Sequence, residues 1–292
     1  MIRKFSTTDG FVAIDIAGAP ATGIVRAAPK ILQGGASELA RSASYTFAAF
    51  GIARSGASAG INAAPDQVDV ACRAVADELA PDAVSGDLLL IAAKGTDAEA
   101  LASLGSPHAT PAATVAGVVA ATEWALAGLD GKKVAIEGTG DLVDLLAAAL
   151  AEAGATLVTV DGADKKPWLI WGADADAVLA GSKPGALTHQ GGALVKAKAI
   201  VPWGPIPVTT KAFAGLKAAG VDVLPDFISA NGALLAPQLA DSSPAGVAGQ
   251  VKDLLDAVGR GGDGMLLNAC YQAEVFLATW TDQRLFGRPL AS

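Results

Sequence analysis

The feature that most constrains the fold is the stretch KKVAIEGTGDLVDLLAAALAEAGATLVTVDG, residues 132 to 162. VAIEG is a short apolar run that ends in glycine, as a buried parallel strand does. DLVDLLAAALAEAG has the leucine- and alanine-rich pattern of a helix that begins near Asp141 and ends at Gly154. TLVTVD is a second apolar run, and it ends in an acid. Strand, tight turn, helix and strand in this order predict a βαβ unit with a right-handed crossover.

Strands and helices continue to alternate up to about residue 235. KAIVPWG and VDVLPDF are strand-like, TTKAFAGLKAAG between them is helical, and WLIWG and ADAVLAG resemble short pieces of strand. This alternation predicts a parallel sheet that is covered by helices on both faces.

The N-terminal third has a different pattern. GFVAIDIAG and GDLLLIAAKG are strand-like, whereas ASELARSASYTFAAFGIA, DQVDVACRAVADELA and TPAATVAGVVAATEWALAGL are helical. FGIARSGASAGIN, residues 50 to 62, is so rich in small residues that we expect a loop, which is either an ordinary turn or a catalytic loop without its working residue. Two further helices, GVAGQVKDLLDAVG and MLLNACYQAEVFLATWTDQRLFG, are predicted on either side of RGGDG near the C-terminus.

Composition and charge exclude several classes of function. The net charge is −8 and the pI is about 4.7, which argues against nucleic acids and anionic membrane surfaces as partners. The most apolar long run, residues 110 to 129, contains Glu123 and predicts a buried helix and not a membrane span. No secretory signal is recognised at the start, and the alanine-rich composition resembles that of a GC-rich bacterium. We therefore expect a bacterial cytoplasmic protein.

Few residues are available for metal or redox chemistry. The two cysteines, Cys72 and Cys270, lie far apart without a CxxC motif, and we expect both to be buried thiols in a reducing compartment. Two histidines and no Cys/His cluster predict no metal site.

The turn GTGDLV, after the first strand of the βαβ unit, resembles a dinucleotide-binding turn. Gly138 permits the tight turn, and Gly140 lets backbone N–H groups approach a pyrophosphate at the helix N-terminus. Val143 stands where the third glycine is usual, and the carboxylate of Asp141 either caps the helix or repels a diphosphate. Asp161 ends the second strand, where an acid can bind a ribose 2′-hydroxyl and so favours NAD over NADP. The same layout also suits S-adenosylmethionine, or no ligand.

Five segments of the chain, in the same order, resemble the glutamate/leucine/phenylalanine/valine dehydrogenases, which are NAD(P)-dependent amino-acid dehydrogenases. The family motifs GPAxGGxR, LARxMTYKNALAxLPxGGGKxGI, SPxTAxGV, GKxVAVQGFGNVG and PDxxxNAGGV correspond to GAPATGIVR (18–26), ELARSASYTFAAFGIARSGASAGIN (38–62), PAATVAGVV (111–119), LDGKKVAIEGTGDLV (129–143) and VLPDFISANGAL (223–234). The resemblance covers most of the chain.

The resemblance also shows what this chain lacks. Ser58 matches the lysine of the family's glycine-rich loop, Thr46 matches the lysine of the TYKNA helix, and Ala93 matches the active-site aspartate. In the family one lysine holds the substrate carboxylate, the other activates water, and the aspartate moves protons. A hydroxyl has neither the charge nor the pKa for these roles, and the loss of one acid–base group typically lowers the rate by about 10²–10⁴-fold. We therefore expect no ordinary oxidative deamination, and a substrate pocket without charge.

At the cofactor positions that the resemblance implies, this chain departs less from the family than it does at the catalytic positions. Thr114 matches the threonine beside the nicotinamide carboxamide, and Asn231 follows Ala230, which matches the family's NAGG asparagine. VPWGPIPVTT departs from the family's GANGP segment at a place near the cofactor. The predicted cofactor residues are Thr114, Gly138, Thr139, Gly140, Asp141, Leu142, Asp161, Pro202, Trp203 and Asn231.

Lys94 and His108 are the candidate replacements for the lost acid–base groups, because both fall in segments that the resemblance places near the cleft between the domains. Each can equally be an ordinary exposed or loop residue. Arg54 can hold an anionic substrate or be a solvated loop cation, and His189 is expected at the surface.

The expected fold is the two-domain α/β architecture of the amino-acid dehydrogenases. We predict an α/β N-terminal substrate and dimerisation domain over residues 1–128, a Rossmann-like NAD(P)-binding domain over 129–264, and a C-terminal helix over 265–292 that returns to the first domain. Two functions are compatible with it: an NAD(P)-dependent oxidoreductase repurposed for a small imine, ketone or enone, or a non-catalytic binding or partner subunit. A homodimer is expected.

Overall fold

The fold is described from a computed structural model that covers residues 1–106, 108–162, 166–283 and 287–291. The chain forms two compact units. Unit 1 consists of residues 1–109 and 273–289, and unit 2 of residues 110–272 and 290–292. The functional division into 1–128, 129–264 and 265–292 stays a prediction.

Unit 1 is built on a mixed five-stranded sheet with the strand order β1-β2-β4-β3-β5. Strand β3, the fourth in this order, runs parallel to both of its neighbours, β4 and β5, whereas β2 is antiparallel to β1 and β4. The strands are β1 (Ile2–Lys4), β2 (Gly10–Ile14), β3 (Ala21–Ala28), β4 (Ser55–Asn62) and β5 (Leu88–Ala92).

Two helices cover the sheet of unit 1. Helix α2 (Val68–Ser85) buries Cys72 and Val75 against alternate residues of β3, β4 and β5 and so forms the main core. Helix α1 (Gln33–Ala49) packs on the other face, where Ala36 and Ala40 contact Phe11 and Ala13 of β2. Alternation of side chains along each strand assigns every strand residue to one of these two faces.

The prediction of a loop at residues 50–62 is wrong for its second half, which forms strand β4. This strand needs small residues because α1 crosses it closely. A Cβ atom on Gly56 would lie 1.9 Å from the carbonyl oxygen of Ala40. The backbone N–H of Gly56 donates to the Oγ of Ser44 on α1 at 2.8 Å. The composition that suggested a loop therefore serves close helix packing.

Unit 2 contains a second five-stranded sheet, in which all strands are parallel and the order is β10-β9-β8-β6-β7. The strands are β6 (Lys133–Ile136), β7 (Thr156–Leu157), β8 (Ala177–Ala180), β9 (Ala199–Pro202) and β10 (Asp222–Val223). The helices are α3 (Pro111–Leu126), α4 (Asp141–Glu152), α5 (His189–Gly192), α6 (Thr210–Ala218), α7 (Asp226–Ser229), α8 (Gly232–Leu235), α9 (Pro244–Val258) and α10 (Met265–Leu277), of which α10 ends in unit 1.

The βαβ unit and the parallel sheet predicted from the sequence are confirmed by β6, α4, β7 and their neighbours. The interpretation of WLIWG as strand is wrong, because Pro167–Gly172 forms a 3₁₀ helix that starts at a proline, whereas ADAVLAG does contain β8. The predicted buried helix at residues 110–129 is α3, which Thr110 caps through its hydroxyl. None of the described helices is long and apolar enough to cross a membrane.

Candidate functional site

The candidate site residues fall in two places, which are described separately. Unit 1 carries the positions that match the lost catalytic groups, together with Lys94 and His108. Unit 2 carries every residue that was predicted to bind the cofactor.

The two positions that match family lysines are closed to solvent. Ser58 lies in the middle of β4, is 0% exposed, and its Oγ has no hydrogen-bond partner. Thr46 on α1 is 1% exposed, and its hydroxyl donates to the carbonyl oxygen of Ser42 at 3.2 Å. Neither side chain can act as an acid or base near neutral pH.

A cation nevertheless lies on the same face of the sheet as Ser58. Ser58 pairs with Ile24 of β3, so Arg26, two residues further along, points to the same side. The Nε of Arg26 is buried and has no hydrogen-bond partner, and burial lowers the pKa of its guanidinium. The face of the sheet that carries Ser58 therefore also carries a cation, and the expected substrate pocket without charge stays a prediction.

No acid flanks Arg26 within the sheet. Its partner on β4 is Gly60, which has no side chain. On the other side, Ala93 continues β5, since its N–H donates to Val25 at 2.9 Å and the Lys94 carbonyl accepts from Ala27 at 3.2 Å. These bonds put Ala93 beside Arg26. Ala93 is the position that matches the family's aspartate, so its methyl group leaves the cation without a counter-charge.

Above β3 and β5 this face carries several half-buried side chains, whereas the opposite face of the same strands packs into the main core. Leu89 pairs with Thr22 and Ile91 with Ile24, so their side chains share the face of Arg26. We define the open strip as the five half-buried residues Ile24, Arg26, Leu89, Ile91 and Ala93. It combines an apolar surface with a single guanidinium.

The other candidates in unit 1 differ in their surroundings. Lys94 is exposed directly after β5, and His108 is exposed shortly before α3, with its backbone N–H donating to Ser106 at 3.3 Å. Arg54 is held in place by the carbonyl oxygens of Ala21 and Gly86 and by the hydroxyl of Thr22. Arg54 therefore has a structural role, in contrast to Arg26.

In unit 2 the turn between β6 and α4 has a backbone that suits glycine. Gly138 has φ +104°, and Gly140 has φ +114° and ψ 174°, a conformation that only glycine adopts readily. No atom lies within 4 Å of where a Cβ on Gly140 would stand. No side chain caps α4, and Thr139, Gly140 and Asp141 are exposed while Leu142 is half-buried. The first turn of α4 thus starts at exposed residues, and no side chain caps its first N–H groups.

This turn lies at the topological switch point of the sheet, because β6 has β7 on one side and β8 on the other. Parallel α/β sheets bind their ligands at such a point, beyond the carboxyl ends of the strands. Asp141 and Asp144 in the first turn of α4 add negative charge here.

Glu137, which directly precedes the turn, joins the two strands at the switch point. The side chain is 7% exposed, and its carboxylate accepts the backbone N–H groups of Gly181 and Ser182, both at 3.0 Å. The Ser182 hydroxyl donates to the same carboxylate. Glu137 thus fixes the turn after β6 against the turn after β8.

Trp203 follows β9 and covers the same point. Its indole Nε1 donates to the carbonyl oxygen of Glu137 at 2.9 Å, and its backbone N–H donates to Ala180 at 2.9 Å. A Cβ on Gly138 would lie 2.9 Å from this indole, and one on Gly181 2.6 Å from it. The two glycines are therefore required by the indole that packs over them.

The remaining cofactor candidates in unit 2 are spread more widely. Thr114, near the start of α3, is 7% exposed and accepts the N–H of Ala233 at 3.2 Å, close in the chain to the half-buried Asn231. Pro202 is buried, and its carbonyl oxygen accepts from Ser229 at 2.9 Å. The prediction that Asp161 ends the second strand is wrong, because β7 ends at Leu157 and Asp161 is exposed in a turn four residues further on. His189 is exposed at the start of α5, as expected.

Sequence reasoning missed Arg26 and Glu137 as site residues. Arg26 ends the GAPATGIVR segment, but only the register of β3, β4 and β5 reveals that neutral neighbours surround it. Glu137 is recognisable in the sequence only as an acid at the end of an apolar strand, directly before a glycine.

The solved structures with similar folds include several amino-acid dehydrogenases. The leucine-bound hetero-hexameric glutamate dehydrogenase from Thermus thermophilus aligns with a TM-score of 0.75 and 22% identity over 90% of this chain and 82% of its own. The L-tryptophan dehydrogenase from Nostoc punctiforme gives a TM-score of 0.64 and 20% identity over 96% of this chain and 95% of its own. A Plasmodium falciparum glutamate dehydrogenase aligns with a TM-score of 0.73 and 10% identity over 94% of this chain and 80% of its own.

No protein-family model matches the sequence, and no curated protein is significantly similar to it. At these low identities the structural likeness establishes the fold, which is that of the amino-acid dehydrogenases.

Proposed function

We propose that this protein is an NAD(P)-dependent oxidoreductase that binds the dinucleotide at residues 138–141, with NAD(H) preferred to NADP(H). The observation that carries the proposal is the backbone of Gly140. Its φ and ψ exclude side chains although no neighbouring atom requires a glycine there. A glycine-only conformation beside an uncapped helix start is what the close approach of a phosphate needs.

The substrate is proposed to be a small imine, ketone or enone and not a common amino acid. Deamination in the family depends on ammonium groups, and the matching residues Thr46 and Ser58 are buried hydroxyls. Reduction of a preformed C=N or C=O bond needs only a hydride and a proton. We propose the exposed Lys94 or His108 as the proton donor.

The first test is an NADH titration followed by fluorescence of the protein's five tryptophans. Trp203 packs on the turn, so we expect saturable quenching, and tighter binding of NADH than of NADPH. Gly140→Ala should weaken binding about tenfold or more, because it blocks the approach of the phosphate. Gly131→Ala is the matched control, since Gly131 also has positive φ and open space around it but lies before β6. Equal binding by wild type and Gly140→Ala would refute the proposed location.

The second test is hydride transfer from NADH to cyclic imines, ketones and enones, with common amino acids and NAD⁺ in the reverse direction. We expect turnover of a compound in the first group and none of the amino acids. His108→Ala and Lys94→Ala should then identify the proton donor through a lowered kcat. Unchanged kcat in both variants would refute these roles.

A non-catalytic binding protein is the second candidate, and the acids and Trp203 at the switch point favour it. Glu137, Asp141 and Asp144 oppose the charge of a diphosphate, and the Trp203 indole fills space above Gly138. An NADH titration without signal would support this candidate and refute the oxidoreductase.

We also propose that the protein is a cytoplasmic homodimer that acts on a small molecule and not on nucleic acid or membranes. Its structural relative from Thermus thermophilus is described as hetero-hexameric. Light scattering coupled to gel filtration tests the dimer, and a monomer mass would refute it.

A further inference from the structure

Arg26 is unusual among the arginines of this protein. Of the seven arginines that the structure describes, the other six form an ion pair or a hydrogen bond with protein groups. Arg26 forms neither, and its Nε is shielded from solvent. A half-buried guanidinium without a partner is unfavourable, because its lost hydration is not replaced.

The surroundings of Arg26 explain why no protein group compensates its charge. Its lateral neighbours in the sheet are Gly60 and Ala93, and the next residue on its face along β3 is Ile24. Two polar residues of β4 share this face: Ser58, which is itself without a hydrogen-bond partner, and Asn62, whose side-chain amide is bonded to Ile31 and Asp9. The sheet therefore presents a cation that an exogenous anion can satisfy.

The rest of the open strip indicates the chemistry of that anion. Ile24, Leu89 and Ile91 are half-buried and share the face of Arg26. None of the three is a member of the main core under α2 or of the cluster under α1. An apolar surface next to one guanidinium fits a molecule with one carboxylate and an aliphatic or aromatic chain, because a guanidinium matches the planar carboxylate with paired hydrogen bonds.

We propose that Arg26 anchors a carboxylate-binding site on the open strip, and that its ligand is a small organic monocarboxylate with an apolar chain. The identification of this ligand with the enzyme's substrate rests on the proposed function, but the site itself does not. The arginine would then take over charge recognition on a face where the positions matching lysines, 46 and 58, hold hydroxyls.

The test is the binding of 4-methylpentanoate to the full-length protein without dinucleotide, measured by isothermal titration calorimetry. We expect saturable binding to wild type, and binding at least about tenfold weaker to Arg26→Met, which keeps the length of the side chain and removes its charge. The neutral 4-methylpentanamide and the chainless acetate should each bind at least about tenfold more weakly than 4-methylpentanoate.

Arg73→Met is the matched control. Arg73 is an exposed arginine on α2, the helix that covers the face of the sheet opposite to Arg26. Its replacement by methionine changes the net charge by the same amount. It should bind 4-methylpentanoate like wild type. The ligand-free Tm of Arg26→Met should equal or exceed that of wild type, because an unpaired buried charge is removed. A lower Tm would mean that Arg26 has a structural role and would overturn the proposal.

Three binding results would also overturn it: no binding to wild type, equal binding to Arg26→Met, or equal binding of the amide. Because no dinucleotide is present, these results are independent of NADH binding. Carboxylate binding without NADH binding would refute the oxidoreductase proposal alone, and NADH binding without carboxylate binding would refute the Arg26 site alone.

Discussion

Replacement of Ser58 tests whether its position is closed, as the structure indicates. The side chain is 0% exposed, and its hydroxyl lies on a face with Ala13 and Ile24 as paired neighbours and without a hydrogen-bond partner. A buried unsatisfied hydroxyl costs about 1–3 kcal/mol. Ser58→Ala removes that cost and leaves only a small gap, so we expect it to stabilise the protein by up to about 1 kcal/mol.

Ser58→Lys, which introduces the lysine that the resemblance implies at this position, should have the opposite effect. An uncompensated buried charge costs about 3–5 kcal/mol, and the larger side chain adds about 1–3 kcal/mol of overpacking. The sum, about 4–8 kcal/mol, approaches the whole stability of an ordinary domain. We therefore expect Ser58→Lys to unfold or to be strongly destabilised, and not to gain deaminase activity.

The assay is urea denaturation followed by circular dichroism, with Ser44→Ala as control. Ser44 is also a fully buried serine, but its Oγ accepts the N–H of Gly56 at 2.8 Å. Its removal leaves that N–H without a partner and should destabilise by about 1–3 kcal/mol. Equal destabilisation by Ser58→Ala and Ser44→Ala, or a Ser58→Lys variant as stable as wild type, would contradict the environment described for Ser58.

Two further predictions concern carboxylates. Glu137→Ala leaves the N–H groups of Gly181 and Ser182 without their acceptor. It should therefore lower the free energy of unfolding, measured by urea denaturation, by about 2–5 kcal/mol. A change below about 0.5 kcal/mol would contradict the role of Glu137 in holding the two turns together. The pKa of Glu274 is lowered mainly by its hydrogen bond to Arg288, so the ion pair stabilises the fold above the ordinary glutamate pKa of about 4.3. This contribution is lost as the pH falls through the lowered pKa of the folded protein. Wild type should therefore have a higher Tm than Glu274→Gln at pH 7, and this difference should shrink below about pH 4. A difference in Tm that does not change with pH would refute the contribution of the ion pair.

The parts of the fold with a strong local signal could be predicted from the sequence. The βαβ unit is an example, because its apolar strands, its glycine turn and its leucine-rich helix each favour the same structure. Helix α3 is another, since Thr110 and Pro111 mark its start and apolar residues continue along its whole length.

Strand β4 could not be predicted, because its sequence SGASAGIN has a low intrinsic preference for strand. Its conformation is imposed by β2 and β3 on either side and by α1, which crosses at Gly56. For WLIWG, in contrast, the local sequence preference is for a strand that does not form. Its aromatic and apolar residues favour a strand, but Pro167 begins a 3₁₀ turn instead.

The assignment of Ser58, Thr46 and Ala93 to the positions of catalytic residues rests on the resemblance and stays a prediction. The sequence identifies the three residues as uncharged. It does not reveal that Arg26 lies on the face of Ser58 and beside Ala93, because that neighbourhood depends on pairing between strands far apart in the chain. In the same way, the contact of Trp203 with Gly138 joins residues 65 positions apart.

The most direct test of the central claim, that the Gly138–Asp141 turn binds a dinucleotide, is amide hydrogen exchange with and without NADH. We expect slower exchange in peptides that cover residues 138–144, where the uncapped N–H groups of α4 would bind the phosphates. No change in these peptides at saturating NADH, or protection confined to other segments, would contradict it.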